Sequence, residues 1–131
     1  MDTKKRLSDA ELEIMLAIWE AEGPVTSSYI LQQLQGRRRW ALSTLMTVLA
    51  RLVEKGFIQC DRSTRTNLYT PLVAEEDYKV RESRSFLEKM YGSSLSGLVT
   101  SLYNSRSLSE KDIASLRRFL DRASREENPK E

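Results

Sequence analysis

Between residues 42 and 55 the chain sets small hydroxyl side chains and one arginine on one side of a helical repeat. Ser43, Thr44, Thr47 and Arg51 recur there, while Leu45, Val48, Leu49 and Leu52 recur on another side. Apolar residues three and four apart make an amphipathic helix with one buried stripe. Hydroxyl and guanidinium groups in such a row are suited to making hydrogen bonds rather than to breaking covalent ones. Threonine offers both a hydroxyl and a methyl to a base edge, and arginine offers a planar fork to phosphate. Other helical stretches carry acids, as at Asp9, Glu11, Glu13 and Glu20, whereas here the only acid, Glu54, stands at the far end. An ordinary amphipathic helix with a solvated polar side has the same pattern, so the surroundings must decide.

Catalysis has no comparable candidates. The 131 residues include no histidine, the usual general base and commonest metal ligand. There is no glycine-rich phosphate loop and no nucleophile motif, so neither enzymatic activity nor a metal or other cofactor is expected. The single cysteine, Cys60, has no internal disulfide partner, which fits a reducing compartment. It reads as a small core hydrophobe rather than a redox switch, since no second cysteine is present to resolve an oxidised form. No stretch approaches the ~20 apolar residues of a membrane span, and the N-terminus leads into no secretory apolar region. A cytoplasmic protein without membrane insertion is expected.

The net charge of +2 is unevenly placed. From Gly36 to Val73 seven basic residues (Arg37, Arg38, Arg39, Arg51, Lys55, Arg62 and Arg65) face two acids, a net of +5. Residues 74–131 hold eleven basic and eleven acidic residues. A basic surplus confined to one segment is the electrostatic footprint of a phosphate-binding surface.

The elements that must position these groups are legible in outline. Ser8 and Glu11 have capping-box spacing, with Leu7 and Leu12 placed as a hydrophobic staple. Leu12, Met15, Leu16 and Trp19 then form a stripe on a first helix that ends near Glu22, before Gly23-Pro24. Thr26 is placed to cap a second helix that buries Ile30, Leu31 and Leu34 and stops at Gly36. Trp40 precedes the third helix, 42–55, which Gly56 ends. Phe57 to Asp61 alternates as a strand, Arg62 to Thr66 is a polar turn, and Asn67 to Thr70 returns before Pro71. Three helices followed by a hairpin with arginines at its tip is the order of a winged helix-turn-helix. The third helix would enter the major groove, with Ser43, Thr44, Thr47 and Arg51 on the DNA. The wing, about residues 57–71, would lay Arg62 and Arg65 on the phosphate backbone.

Several fragments in this order resemble the BlaI/MecI/CopY family of bacterial repressors, the penicillinase repressors. They are Leu7-Ser8-Asp9-Ala10-Glu11 with Ile18-Trp19, Trp40 ahead of Ser43 to Leu52, Lys55-Gly56, Tyr69-Thr70-Pro71-Leu72, Phe86-Leu87, Gly92-Ser93 and Leu108 to Ile113. The resemblance implies a homodimer that represses genes by binding double-stranded operator DNA. In the antibiotic branch it also implies proteolysis downstream of a membrane sensor protease. The corresponding cleavage site would fall near Ser101-Leu102, where Ser101 replaces the usual asparagine. The cysteine cluster of the copper branch is missing, so copper sensing does not carry over. Ala41 stands where the family usually has a serine N-cap, and Thr64 where the wing usually has glycine.

The remaining chain reads as three helices. Glu75 to about Met90 carries Tyr78, Phe86, Leu87 and Met90; Ser93 to Tyr103 carries Leu95, Leu98, Val99 and Leu102. Ser109 would cap a last helix burying Ile113, Leu116, Phe119 and Leu120. So short a set of helices makes a marginal core alone, and a second copy of the chain is its simplest complement. The fold class expected is mainly α with a small β-hairpin. It comprises an N-terminal winged helix-turn-helix DNA-binding domain, residues 1–73, and a C-terminal helical dimerisation domain, residues 74–131. The function expected is a dimeric transcriptional repressor on palindromic operator DNA. The alternative is a winged-helix module that binds protein, which would need neither a basic wing nor an acid-poor third helix.

Overall fold

The computed structural model describes residues 6–35 and 40–126. Six helices and one hairpin follow in the order α1 (Asp9–Ala21), α2 (Ser27–Leu34), α3 (Leu42–Lys55), β1 (Ile58–Asp61), β2 (Leu68–Pro71), α4 (Glu75–Tyr91), α5 (Leu95–Asn104) and α6 (Glu110–Arg125). This is the winged helix-turn-helix order followed by a helical segment. The chain divides into two compact units, Met1–Glu82 and Ser83–Glu131.

In the first unit, α1 opens with the full capping box. Ser8 Oγ accepts from the Glu11 N–H, and Glu11 Oε1 accepts from the Ser8 N–H. The helix buries more than the expected stripe. Ile14, Met15 and Ile18 are completely enclosed, whereas Leu12 and Leu16 are only partly covered. The cause is that α2, α3 and β2 all pack on α1, so its apolar surface is wider than a single line. Its C-cap, Glu22, takes the left-handed conformation at φ 60° ahead of Gly23.

The short α2 is capped by Thr26, whose hydroxyl accepts from the Tyr29 N–H at 3.1 Å. It buries Ile30 and Leu34, with Leu31 at the edge of the core. In α3 the buried set is Leu45, Val48, Leu49 and Leu52, as the spacing required. Gly56 ends that helix at φ 85°, where a side chain would be strained.

The hairpin is antiparallel, with Ile58 opposite Pro71 and Cys60 opposite Tyr69. Tyr69 is also bridged on its other edge. The Val25 N–H donates to its carbonyl at 3.0 Å, and its own N–H donates to the Val25 carbonyl at 2.8 Å. The residue leading into α2 thus acts as a third strand of one residue. Cys60 lies half-buried on β1 against the core.

The start of α4 belongs to the same core. The Tyr78 ring is 6.0 Å from Trp19 and 5.8 Å edge-on to Phe57, and its hydroxyl oxygen accepts from the Leu7 N–H at 2.9 Å. Trp19 donates through Nε1 to the Val73 carbonyl at 2.8 Å. The contact division therefore falls at Glu82, inside α4, and not at Val73 where the composition changes.

In the second unit, Ser109 and Asp112 form a capping box that starts α6, and Ser94 caps α5 by accepting from the Gly97 N–H at 2.9 Å. Tyr91 donates to Ser101 Oγ at 3.2 Å. Neither α5 nor α6 has a buried residue. Of the side chains that the spacing placed in a core, Leu116, Phe119 and Leu120 are exposed in the single chain, and Ile113 is only half-buried. These stripes are apolar enough for a core and have none within one chain.

Candidate nucleic-acid interface

The core of the first unit fixes the direction of α3. Leu45, Val48, Leu49 and Leu52 are all on its buried side, so geometry forces Ser43, Thr47 and Ala50 outward. Thr44 and Arg51 flank this line on one side. Thr44, Thr47 and Arg51 are exposed in successive turns. Thr47 donates its hydroxyl proton to the Ser43 carbonyl at 3.1 Å. That bond holds its rotamer and leaves the oxygen an acceptor on an exposed side chain.

The first turn of α3 has no side-chain cap. Ala41 takes an extended N-cap conformation, φ −81° and ψ 147°, without a group to accept a hydrogen bond. The leading N–H groups are left to water or to an anion, and they lie at the positive end of the helix dipole.

Two contacts pin the ends of this helix to α1. Trp40 Nε1 donates to Glu13 Oε1 at 3.2 Å just before the helix begins. At its end, Lys55 Nζ donates to the 3%-exposed Glu11 at 2.7 Å and to the Arg6 carbonyl at 3.3 Å. Burial pushes the Glu11 carboxyl up, but Lys55 and the Ser8 N–H and hydroxyl outweigh it and hold the group below its ordinary value of 4.5. Sequence reasoning saw the Glu11 cap but not its second partner, which is far away in the chain.

The wing carries Arg62 and Arg65, both exposed, beyond the last strand pair, Asp61 with Leu68. Asp61 Oδ1 accepts from the Ser63 N–H at 2.9 Å and the Ser63 hydroxyl at 2.7 Å. Those two bonds hold its carboxyl below the usual range. Thr64 donates to the Thr66 carbonyl at 2.6 Å. Side-chain hydrogen bonds thus shape the tip, and among the described residues only Glu22, Ser93 and Arg106 are non-glycines of positive φ. Thr64 needs no glycine conformation, which removes the difficulty its position raised. Arg37, Arg38 and Arg39, counted in the basic segment, lie outside the described residues.

Four exposed apolar or small residues of α3 escaped the sequence reading: Leu42, Met46, Ala50 and Val53. Their exposure follows from the buried stripe, but apolar type alone gave no signal of it. Among the described residues no group of three His, Cys, Asp or Glu side chains is placed to hold a metal, and no helix is long and apolar enough to cross a membrane.

Residues 7–122 match the family model described as penicillinase repressor. The chain belongs to the penicillinase repressor family. Within this family it is 32% identical to the penicillinase repressor of Bacillus licheniformis over 116 residues, 88% of this chain and 90% of that protein. It is equally 32% identical to the methicillin resistance regulatory protein MecI of Mammaliicoccus sciuri, over 93% of this chain and 99% of that one. A solved relative is the Bacillus licheniformis BlaI monomeric form in complex with the blaP half-operator. It is 34% identical, covers 56% of this chain and 89% of that one, and has a TM-score of 0.49. The matched span takes in α3, the wing, α4, α5 and most of α6, so family membership is a property of both units.

Proposed function

We propose that this penicillinase-repressor family member represses transcription as a cytoplasmic homodimer on palindromic operator DNA. In this reading α3 enters the major groove, with Ser43, Thr44 and Thr47 at base edges and Arg51 on phosphate. The wing lays Arg62 and Arg65 along the backbone without reading sequence. The observation that carries it is the exposed, acid-poor face of α3 in a segment of net charge +5. An anion is the natural partner of such a surface.

Pairing is assigned to the helical region after residue 73. Phe86, Leu87, Met90, Leu95, Leu98, Val99, Leu102, Ile113, Leu116, Phe119 and Leu120 supply the apolar surface. None of them is buried within one chain. A second copy is the complement that gives such stripes a core, and two-fold pairing presents two recognition helices to a palindrome.

No catalytic role and no cofactor belong to this reading. Control by a membrane sensor protease would require cutting near Ser101-Leu102. Both residues are exposed but lie inside α5, so cleavage there requires that helix to open.

The test is a mobility shift of the full chain on random-sequence duplexes at low and high salt, with sedimentation of the free protein. Selective, salt-dependent binding by a dimer supports the reading. Binding without sequence preference, or a monomer at micromolar concentration, overturns it.

A further inference from the structure

One flank of α3 is apolar and open. Leu42 is 53% exposed, Met46 37% and Val53 39%, and the three fall on one line along the helix. Ala50 is exposed between that line and Thr47. The buried stripe of α3 is complete without them. Met46 and Arg51 thus stand on opposite sides of the outward row Ser43, Thr47 and Ala50, one without charge and one with it.

The basic surplus of the segment that contains α3 favours a polyanion over an apolar protein surface. Within a major groove, the N-terminal residues of a recognition helix are those that reach base edges. That selects Leu42 and Met46 and leaves out Val53, which stands beside Glu54 near the other end. A thioether neither donates nor accepts a strong hydrogen bond. Guanine O6 or the cytosine amino group pressed against it would lose water and gain no partner. The thymine C5-methyl is the one major-groove group that gains from an apolar neighbour.

Building on the assignment of α3 to the major groove, we propose that Met46, flanked by Leu42 and Ala50, selects thymine through its C5-methyl. The operator half-site then requires thymine at one or two positions that no hydrogen bond reads. Short neighbours at Ser43 and Ala50 let the helix come close enough for the thioether to reach the methyl.

The experiment uses the full chain and duplexes selected from a random-sequence library. In the tightest selected duplex each thymine is replaced in turn by deoxyuridine, which removes the methyl alone. Loss of one buried methyl should weaken wild-type binding about fourfold at the positions Met46 reads. Met46→Gln should lose that sensitivity at those positions and keep it elsewhere, while Met46→Leu should retain it. Circular dichroism should be the same for all three proteins, since the residue lies outside the core. Indifference of the wild type to every deoxyuridine would overturn the proposal. So would a Met46→Gln protein with an unchanged methyl effect at every position. In both cases sequence selection and salt dependence would still uphold the groove assignment. If the library yields no preferred sequence, both readings fall together.

Discussion

Lys55 Nζ lies 2.7 Å from Glu11 Oε1, joining the last turn of α3 to the first turn of α1. Glu11 is also the capping-box acid of α1. One carboxylate therefore satisfies a helix start and anchors the end of α3. Lys55→Met leaves that carboxylate buried without its cation. We expect a loss of about 2 kcal/mol, less than for a fully buried pair because the Lys55 side chain is 31% exposed. Urea melts at pH 7 check this.

The same pair sets an acid limit. Glu11 is held below 4.5 in the folded protein, so its contribution is fully present above that pH. It is lost as pH falls through the lower folded value. Wild-type stability should decline over that range, and Glu11→Gln should flatten this part of the profile. An unchanged slope between pH 5 and 3 in the variant would refute the role given to Glu11.

Tyr78 ties α4 to the winged helix. A fragment of residues 1–82 should fold as a monomer, whereas one of residues 1–73 lacks the ring that packs on Trp19 and Phe57. Truncating a large buried aromatic costs about 3–5 kcal/mol, and the shorter fragment should be less stable by a similar amount. Thermal melts of the two fragments decide the point.

Arg51→Ala should weaken operator binding and leave circular dichroism unchanged. Loss of one phosphate contact makes the salt slope shallower by about one unit per half-site. Arg62→Ala and Arg65→Ala should weaken all duplexes alike. Thr44→Ala should instead relax preference at particular base pairs, with about 1–3 kcal/mol at stake. Thr47 separates its two groups: Thr47→Val keeps a methyl, and Thr47→Ser keeps the hydroxyl bonded to Ser43. A uniform loss for the threonine variants would place them on the backbone.

Phe119→Glu or Leu120→Glu puts a charge on an exposed apolar stripe of α6. Sedimentation should show these chains as monomers, with helix content largely kept up to Glu82. Operator affinity should drop by roughly 10²–10⁴ as linkage of the two half-sites is lost. A dimer undisturbed by either charge would move the interface elsewhere.

The sequence exposed those features that depend on local spacing. The Ser8–Glu11 box, the Thr26 cap, the buried stripe of α3 and the Gly56 stop each involve residues only a few positions apart. What it concealed depends on distant partners. The enclosure of Ile14 and Ile18 needs α2, α3 and β2 around α1. Tyr78 looked like part of the C-terminal helices because its partners, Leu7, Trp19 and Phe57, are scattered along the chain. Met46 was passed over because an apolar residue on an amphipathic helix is expected inside. On α3 the buried quota was already filled by four others.

The double bridging of Tyr69, to Val25 on one edge and within the hairpin on the other, makes the wing a cantilever. Its root is clamped where Tyr69 is 4% exposed, and a one-residue slip would turn that ring out of the core. Beyond the Asp61–Leu68 pair the tip is shaped by its own hydrogen bonds, Asp61 with Ser63 and Thr64 with Thr66. In the proposed role, a wing held this way lets Arg62 and Arg65 follow grooves of different width while the clamp stays still. The stiffness of the wing belongs to Val25, a residue more than thirty positions away from the arginines it steadies.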